Sequence, residues 1–223
     1  MPTQPAIRTP DAPSVPNDFD RLDVADDALQ DEVRIEEAEL HGHARPGTDA
    51  RGITISESKV TAALTGAILR DAHFRDCVLH TTDLANADLR GAAFHRCTIT
   101  DARLTGASLP ETSLQDVTFT GCRLDLMTLA DARIERVAFV DCTLTETAFD
   151  GAQIRDVSFE RCELSGTSFP RVQLGRTNIF GCDLARVRGI SDLRGATMRW
   201  PDVVDNAAAF AAAAGIRILV EED

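Results

Sequence analysis

The sequence predicts an all-β solenoid, a chain wound into a narrow coil of short extended pieces, and three observations predict it. From Leu64 to Leu184 every fifth residue is Leu, Ile or Phe, 25 consecutive positions without a break. The residue two before each of these is Ala, Cys, Thr or Val, with Met127 the largest. Identities then recur at a spacing of 20: Leu84, Leu104, Leu124, Leu144, Leu164 and Leu184; Phe119, Phe139 and Phe159; Cys77 with Cys97; and Cys122, Cys142, Cys162 and Cys182.

A period of five fits neither the 3.6 of a helix nor the 2 of a simple strand. Each pentad must hold a short extended piece whose two same-side residues point inward, followed by a change of direction. Recurrence at 20 makes four pentads one turn, so residues 20 apart stack. The outward positions Asp76, Arg96, Asp116, Arg136, Asp156 and Arg176 alternate in sign at that spacing. Stacked strands lie about 4.8 Å apart, where opposite charges attract and like charges repel. The alternation thus supports the four-pentad turn independently of the apolar pattern.

Units such as AELHG (38–42), ADLRG (87–91), ARLTG (102–106) and CELSG (162–166) resemble the A(D/N)LXX signature of pentapeptide repeat proteins. The resemblance covers about residues 33–198. It implies the family's right-handed, quadrilateral parallel β-helix, with a short capping α-helix expected after it.

Taken in order, residues 1–32 are expected to be a disordered, proline-rich acidic arm with a candidate N-terminal cap. Prolines at 2, 5, 10, 13 and 16 exclude helix and ladder from the stretch that ends at Asp18. Ala25 to Glu32 reads either as a short capping helix or as a solvated lead-in. Val33/Ile35 and Ala38/Leu40 begin the coil pattern, and His43 to Ala50 (HARPGTDA) reads as a loop. The phase drops by one residue between Val60 and Leu64, and again between Leu184 and Leu193. The coil is expected to run over 33–198 in seven to eight turns, roughly 35 Å at strand spacing. Residues 199–223 read as a cap, since open solenoid ends expose strand edges. Pro201 suits a helix start, Ala207 to Ala214 favour helix, Gly215 is a stop, and IRILV (216–220) reads as a strand. In some family members this segment joins two protomers. The resemblance therefore makes Trp200, Phe210, Ile218 and Val220 candidate dimer contacts, against the alternative of a monomer cap.

Composition narrows the chemistry. The chain has 223 residues, 22 Arg, one Lys and 36 acidic groups, a formal net charge of −13. That balance disfavours nucleic-acid binding through a general positive field. Residues 1–68 carry −7, the central 69–188 only −3, and 189–223 another −3. Six cysteines, with no CxxC pair, occupy small inward positions and read as packed thiols. His41 and His43 have no further ligand nearby in sequence, so no metal is expected. There is no nucleophile elbow, phosphate loop or paired acid/base motif, and a coil filled by its own side chains leaves no deep cleft. The chain is therefore not expected to be an enzyme or to need a cofactor. Without a signal segment or an apolar run long enough to span a bilayer, a cytoplasmic location is expected.

Function is then expected on the outside of the coil. The side of Phe74, Phe94 and Leu114 carries six Arg against four acids. Two adjoining sides have a modest acidic excess. One is led by Asp83, Asp125, Glu146, Glu163 and Asp183, the other by Asp71, Asp88, Glu111, Asp131 and Asp150. These ten residues are the candidate partner-binding groups, and Phe180, Leu126, Val78 and Val140 are outward apolar candidates. The expected role is a β-helical protein–protein interaction module. The alternative comes from the resemblance. The best understood family members are acidic rods that mimic DNA and bind DNA gyrase or topoisomerase IV, in some cases protecting against quinolones or toxins. The Arg-bearing side and the absence of a long mid-coil loop weigh against that alternative.

Overall fold

A computed structural model describes residues 6–25 and 29–219. Ten strands stack in parallel in one continuous path: Asp20–Asp23, Ala38–His41, Lys59–Val60, Val78–His80, Ala93–Thr100, Ser113–Thr120, Arg133–Val140, Gln153–Glu160, Thr177–Phe180 and Thr197–Met198. In the central turns each residue pairs with the one 20 later, as Phe94 does with Leu114 and Phe139 with Phe159. Pairing recurs at pentad steps, for example Asp83 with Arg103 and Asp88 with Ser108, so each turn has four sides. Two adjoining sides form continuous strands and the other two form single bridges between tight turns.

Every fifth large residue from Leu64 to Leu184 is buried except Leu174, which is partly covered. Phenylalanines stack face to face up the axis, Phe119 on Phe139 and Phe139 on Phe159 at 5.0 Å between ring centres. Phe149 meets Phe139 edge-on at 6.4 Å. Such pairs contribute about 0.5–1.5 kcal/mol each beyond the area they bury. Threonine and cysteine can stand beside alanine and valine at the smaller inward positions because each returns a hydrogen bond to the wall. Thr147 Oγ1 donates to Leu124 O at 2.7 Å and Cys162 Sγ to Phe139 O at 3.4 Å.

The corners require left-handed backbone. Among the described residues twenty other than glycine have positive φ, including Asp76, Arg96, Asp116, Arg136 and Asp156 at one corner. Glycine relieves this strain where it occurs, but the space it leaves is also used: a Cβ on Gly91 would collide with Asp71 Oδ1 of the turn below.

Several expectations are corrected. The coil begins at Asp20 rather than Val33, with Leu22 paired to Leu40. That offset is two short of the regular turn, which hides the first turn from a search at period five. Ten stacked strands make nine steps, a rod of roughly 43 Å rather than 35 Å. No helix occurs at 29–32, and residues 26–28 lie outside the described residues. The HARPGTDA loop is a widened corner: His43 and Asp49 bridge to Ala63 and Ile68, six residues against five. The later phase slip is present as Asn178 pairing with Thr197.

The arm, expected to be disordered, runs extended along the outside of the coil over residues 6–18 in contact with one corner. Proline excludes helix and ladder, yet leaves an extended conformation with little entropy to lose. The C-terminal helix is two pieces, α1 (Trp200–Asp205) and α2 (Ala207–Ala213), broken at Asn206. Residues 216–219 form no strand, and Val220 lies outside the described residues. No helix among the described residues is long and apolar enough to cross a membrane.

Candidate partner-binding surfaces

The ten candidate acids fall on the two turn-rich sides, and the structure separates them by what already holds each carboxylate. Asp83 accepts Arg103 Nη1 at 3.1 Å and Ala85 N at 2.9 Å. Asp88 accepts Arg70 Nε at 2.7 Å and Arg90 N at 3.2 Å. Partial burial would raise the pKa of Asp88, but these hydrogen bonds outweigh it and hold it below the ordinary carboxylate value. Asp125 is engaged by Thr143 Oγ1 at 2.7 Å and Thr145 N at 3.0 Å. Asp183 turns back on Ala185 N at 2.8 Å. Asp71 and Asp131 lean over Gly91 and Gly151 of the next turn. Glu146 sits at a left-handed corner position, exposed, under Gly166. Glu111, Asp150 and Glu163 make no side-chain hydrogen bond or ion pair among the described residues. Glu163 and Asp183 stack as bridged neighbours, a like-charge pair that a cationic partner would relieve.

The largest electrostatic construction lies at the corner between the two strand-forming sides. Asp76, Asp116 and Asp156 are each no more than 3% exposed. Each takes two hydrogen bonds from the Arg stacked above it: Arg96 Nε at 2.6 Å, Arg136 Nε at 2.7 Å and Arg176 Nη2 at 2.6 Å. The fork of a guanidinium matches both carboxylate oxygens, which a Lys could not do. The hydrogen bonds from Arg96 and Arg176 lower the pKa of Asp76 and Asp156. At Asp116 burial pushes upward, yet the Arg136 hydrogen bond prevails and the pKa is lowered. The same carboxylates accept backbone N–H groups of the arm, Ser14 to Asp76 at 3.2 Å, Asp11 to Asp116 at 3.4 Å and Arg8 to Asp156 at 3.4 Å. The arm's exit is held by Lys59, whose Nζ lies 4.4 Å from the Phe19 ring centre. Sequence alternation points to the ladder but not to its second ligand. The signal for that ligand is the triplet spacing of Pro10, Pro13 and Pro16.

The thiols are free and buried. Hydrogen bonding to the thiol below, together with burial, pushes Cys142 and Cys162 up to about 12. Among the described residues no group of His, Cys, Asp and Glu is placed to hold a metal ion.

At the C-terminal end, Asp202 and Asn206 cover the last turn. Gly181 N donates to Asp202 Oδ1 at 3.0 Å and Leu184 N to Asn206 Oδ1 at 2.8 Å, while Asn206 Nδ2 donates to Cys182 O at 3.1 Å. The two side chains thus satisfy an edge that would otherwise template aggregation. Of the candidate dimer contacts, Trp200 is 77% and Ile218 55% exposed, beside exposed Val204, Ile216 and Leu219. Phe210 instead packs on the core. Phe180, expected outward, is buried with Arg199 4.4 Å over its ring centre. Leu126 is exposed, and Val78 and Val140 are half-buried.

Residues 62–96 match the model for pentapeptide repeats (8 copies), and residues 92–169 match that for a pentapeptide repeat region. Pentapeptide repeats thus run through residues 62–169 of the chain. Among solved pentapeptide repeat structures, HetL from Nostoc sp. strain PCC 7120, involved in heterocyst differentiation regulation, is 18% identical. That match covers 77% of this chain and 92% of HetL at a TM-score of 0.44. QnrB1, a plasmid-mediated fluoroquinolone resistance protein, is 17% identical in a trypsin-treated variant form. That match covers 84% of this chain and 99% of QnrB1 at a TM-score of 0.40. A thylakoid-lumen pentapeptide repeat protein of Arabidopsis thaliana is 25% identical over 50% of this chain and 71% of its own, at a TM-score of 0.24. No curated protein sequence matches the chain.

Proposed function

We propose that this pentapeptide repeat protein is a non-enzymatic, cytoplasmic protein–protein interaction module that binds through the outside of its coil. The observation that carries this reading is the filled interior. The large inward residues, Leu174 apart, and their small partners are buried against one another, which leaves recognition to the surface. The test compares cross-linked partners of the wild-type chain with those of a Glu111→Lys, Asp150→Lys, Glu163→Lys variant. The expected result is a partner lost from the variant and retained by wild type. Recovery of one identical set by both would sink the assignment to the acidic sides.

We further propose that residues 199–223 carry a homodimer contact, supported by the exposure of five large apolar side chains in this one segment, Trp200, Val204, Ile216, Ile218 and Leu219.

The uncommitted carboxylates Glu111, Asp150 and Glu163 favour a second reading, in which the acidic sides imitate the charge of duplex DNA toward DNA gyrase or topoisomerase IV. A rod of roughly 43 Å exceeds one duplex turn of about 34–36 Å. Titration into a gyrase supercoiling assay, with and without quinolone, tests it. An effect abolished in the triple Lys variant is expected, and no effect at micromolar excess discards this second reading.

A further inference from the structure

The charged corner ladder and the N-terminal arm share a period that neither needs on its own. The buried carboxylates Asp76, Asp116 and Asp156 recur at every second turn of the coil, which is about 9.6 Å at strand spacing. The arm residues that meet them, Ser14, Asp11 and Arg8, recur at every third position in the opposite direction. A polyproline-II chain advances about 3.1 Å per residue, so three residues span about 9.3 Å. One turn of such a chain therefore fits two turns of the coil to within a few tenths of an ångström.

The sequence of the arm obeys the same frame. Residues 8–16 read Arg-Thr-Pro, Asp-Ala-Pro, Ser-Val-Pro. The first residue of each triplet donates its N–H to a ladder carboxylate. The third is proline, which has no N–H to leave unpaired, and Pro10, Pro13 and Pro16 are each half-buried. The donors carry a cation, an anion and a hydroxyl, so the ladder reads backbone and proline spacing rather than a particular side chain. The contacts are also easily given up. At 3.2–3.4 Å they are long, and each carboxylate keeps both bonds to its Arg without them.

We propose that the corner ladder is a docking groove for proline-rich extended segments of other proteins with proline at every third residue, and that the chain's own arm occupies this groove as an exchangeable intramolecular ligand. This goes beyond the reading of the chain as an interaction module on its acidic sides by adding a second surface, at the corner, and the chemistry of its partner. The tether sets a high local concentration of arm, on the order of millimolar for a short linker. A segment arriving from another protein is therefore held off until the arm is displaced.

The experiment uses the full chain carrying a protease site inserted after Asn17, and a fluorescent peptide of residues 6–17 read by anisotropy. Cutting and dialysis free the groove after folding, and circular dichroism checks that the coil persists. The expected result is binding at least tenfold tighter to the cut chain than to the uncut one. A peptide with Pro10, Pro13 and Pro16 replaced by Gly is expected to lose that binding, and one of three Ala-Ala-Pro triplets to keep it within about threefold. Equal binding to cut and uncut chains, or none to either, overturns the proposal. Failure of the Ala-Ala-Pro peptide alone also overturns it, because the groove would then read only its own arm. The Lys variant above alters other sides of the coil, so its outcome stays independent of this one.

Discussion

A carboxylate at 3% exposure is costly to keep charged, and Asp116 remains so only because Arg136 closes on it with two hydrogen bonds. Removing the Arg strands the charge, whereas an exposed pair loses little when broken. Arg136→Ala is therefore expected to cost about 3 kcal/mol in urea unfolding. Arg161→Ala, whose partner Asp141 is exposed, is expected to leave the midpoint nearly unchanged. The same ladder sets an acid limit. Asp76, Asp116 and Asp156 have pKa values lowered on folding. Their contribution is full above the unfolded value of about 3.9 and is lost as pH falls through the lower folded values. Unfolding free energy should be flat from about pH 7 to 5 and decline below about 4; a decline already complete at pH 5 would contradict this assignment.

Among the elements, the coil is legible in the sequence and its ends are not. Leu64 to Leu184 keep one spacing because every turn repeats the same inward geometry, so the pattern reports the structure directly. The first turn escapes because Leu22 pairs with Leu40 at a shorter offset than the regular turns use, and the ends have no repeat to average over. The helix break at Asn206 is invisible for a different reason. Asparagine there serves the neighbouring strand edge through Leu184 N and Cys182 O, a tertiary role with no local signature. Asn206→Ala removes partners from both buried groups and should lower stability by about 1–3 kcal/mol, measured by denaturant unfolding. An unchanged midpoint would show the cap to be dispensable. Of the candidate site, the acidic sides are legible as charge counts. Sequence could not show that Asp83, Asp88 and Asp125 are already engaged, because their partners include side chains on neighbouring turns of the coil.

At the scale of the whole molecule, a rod of nine steps has two unlike ends. The C-terminal end presents Trp200, Val204, Ile216, Ile218 and Leu219 to solvent, while its polar edge is satisfied internally by Asp202 and Asn206. A hydrophobic surface whose Gly181 and Leu184 amides already have partners favours a closed pair over an open-ended stack. Sedimentation velocity should therefore show a dimer for wild type and a monomer for Ile218→Glu, with unchanged circular dichroism. A wild-type monomer at tens of micromolar would leave the segment as a cap alone.

The fit between arm and ladder also restricts how this molecule can change length. Solenoids grow by duplicating single turns, and the core would accept one more turn anywhere in the regular region. One inserted turn would raise every carboxylate beyond it by half the arm's repeat, placing Arg where the arm expects Asp. Two inserted turns with one added proline triplet would restore the match. Arm and coil behave like the two scales of a vernier, and lineages that keep the arm should differ in length by paired steps, two whole turns in the coil for each proline triplet in the arm.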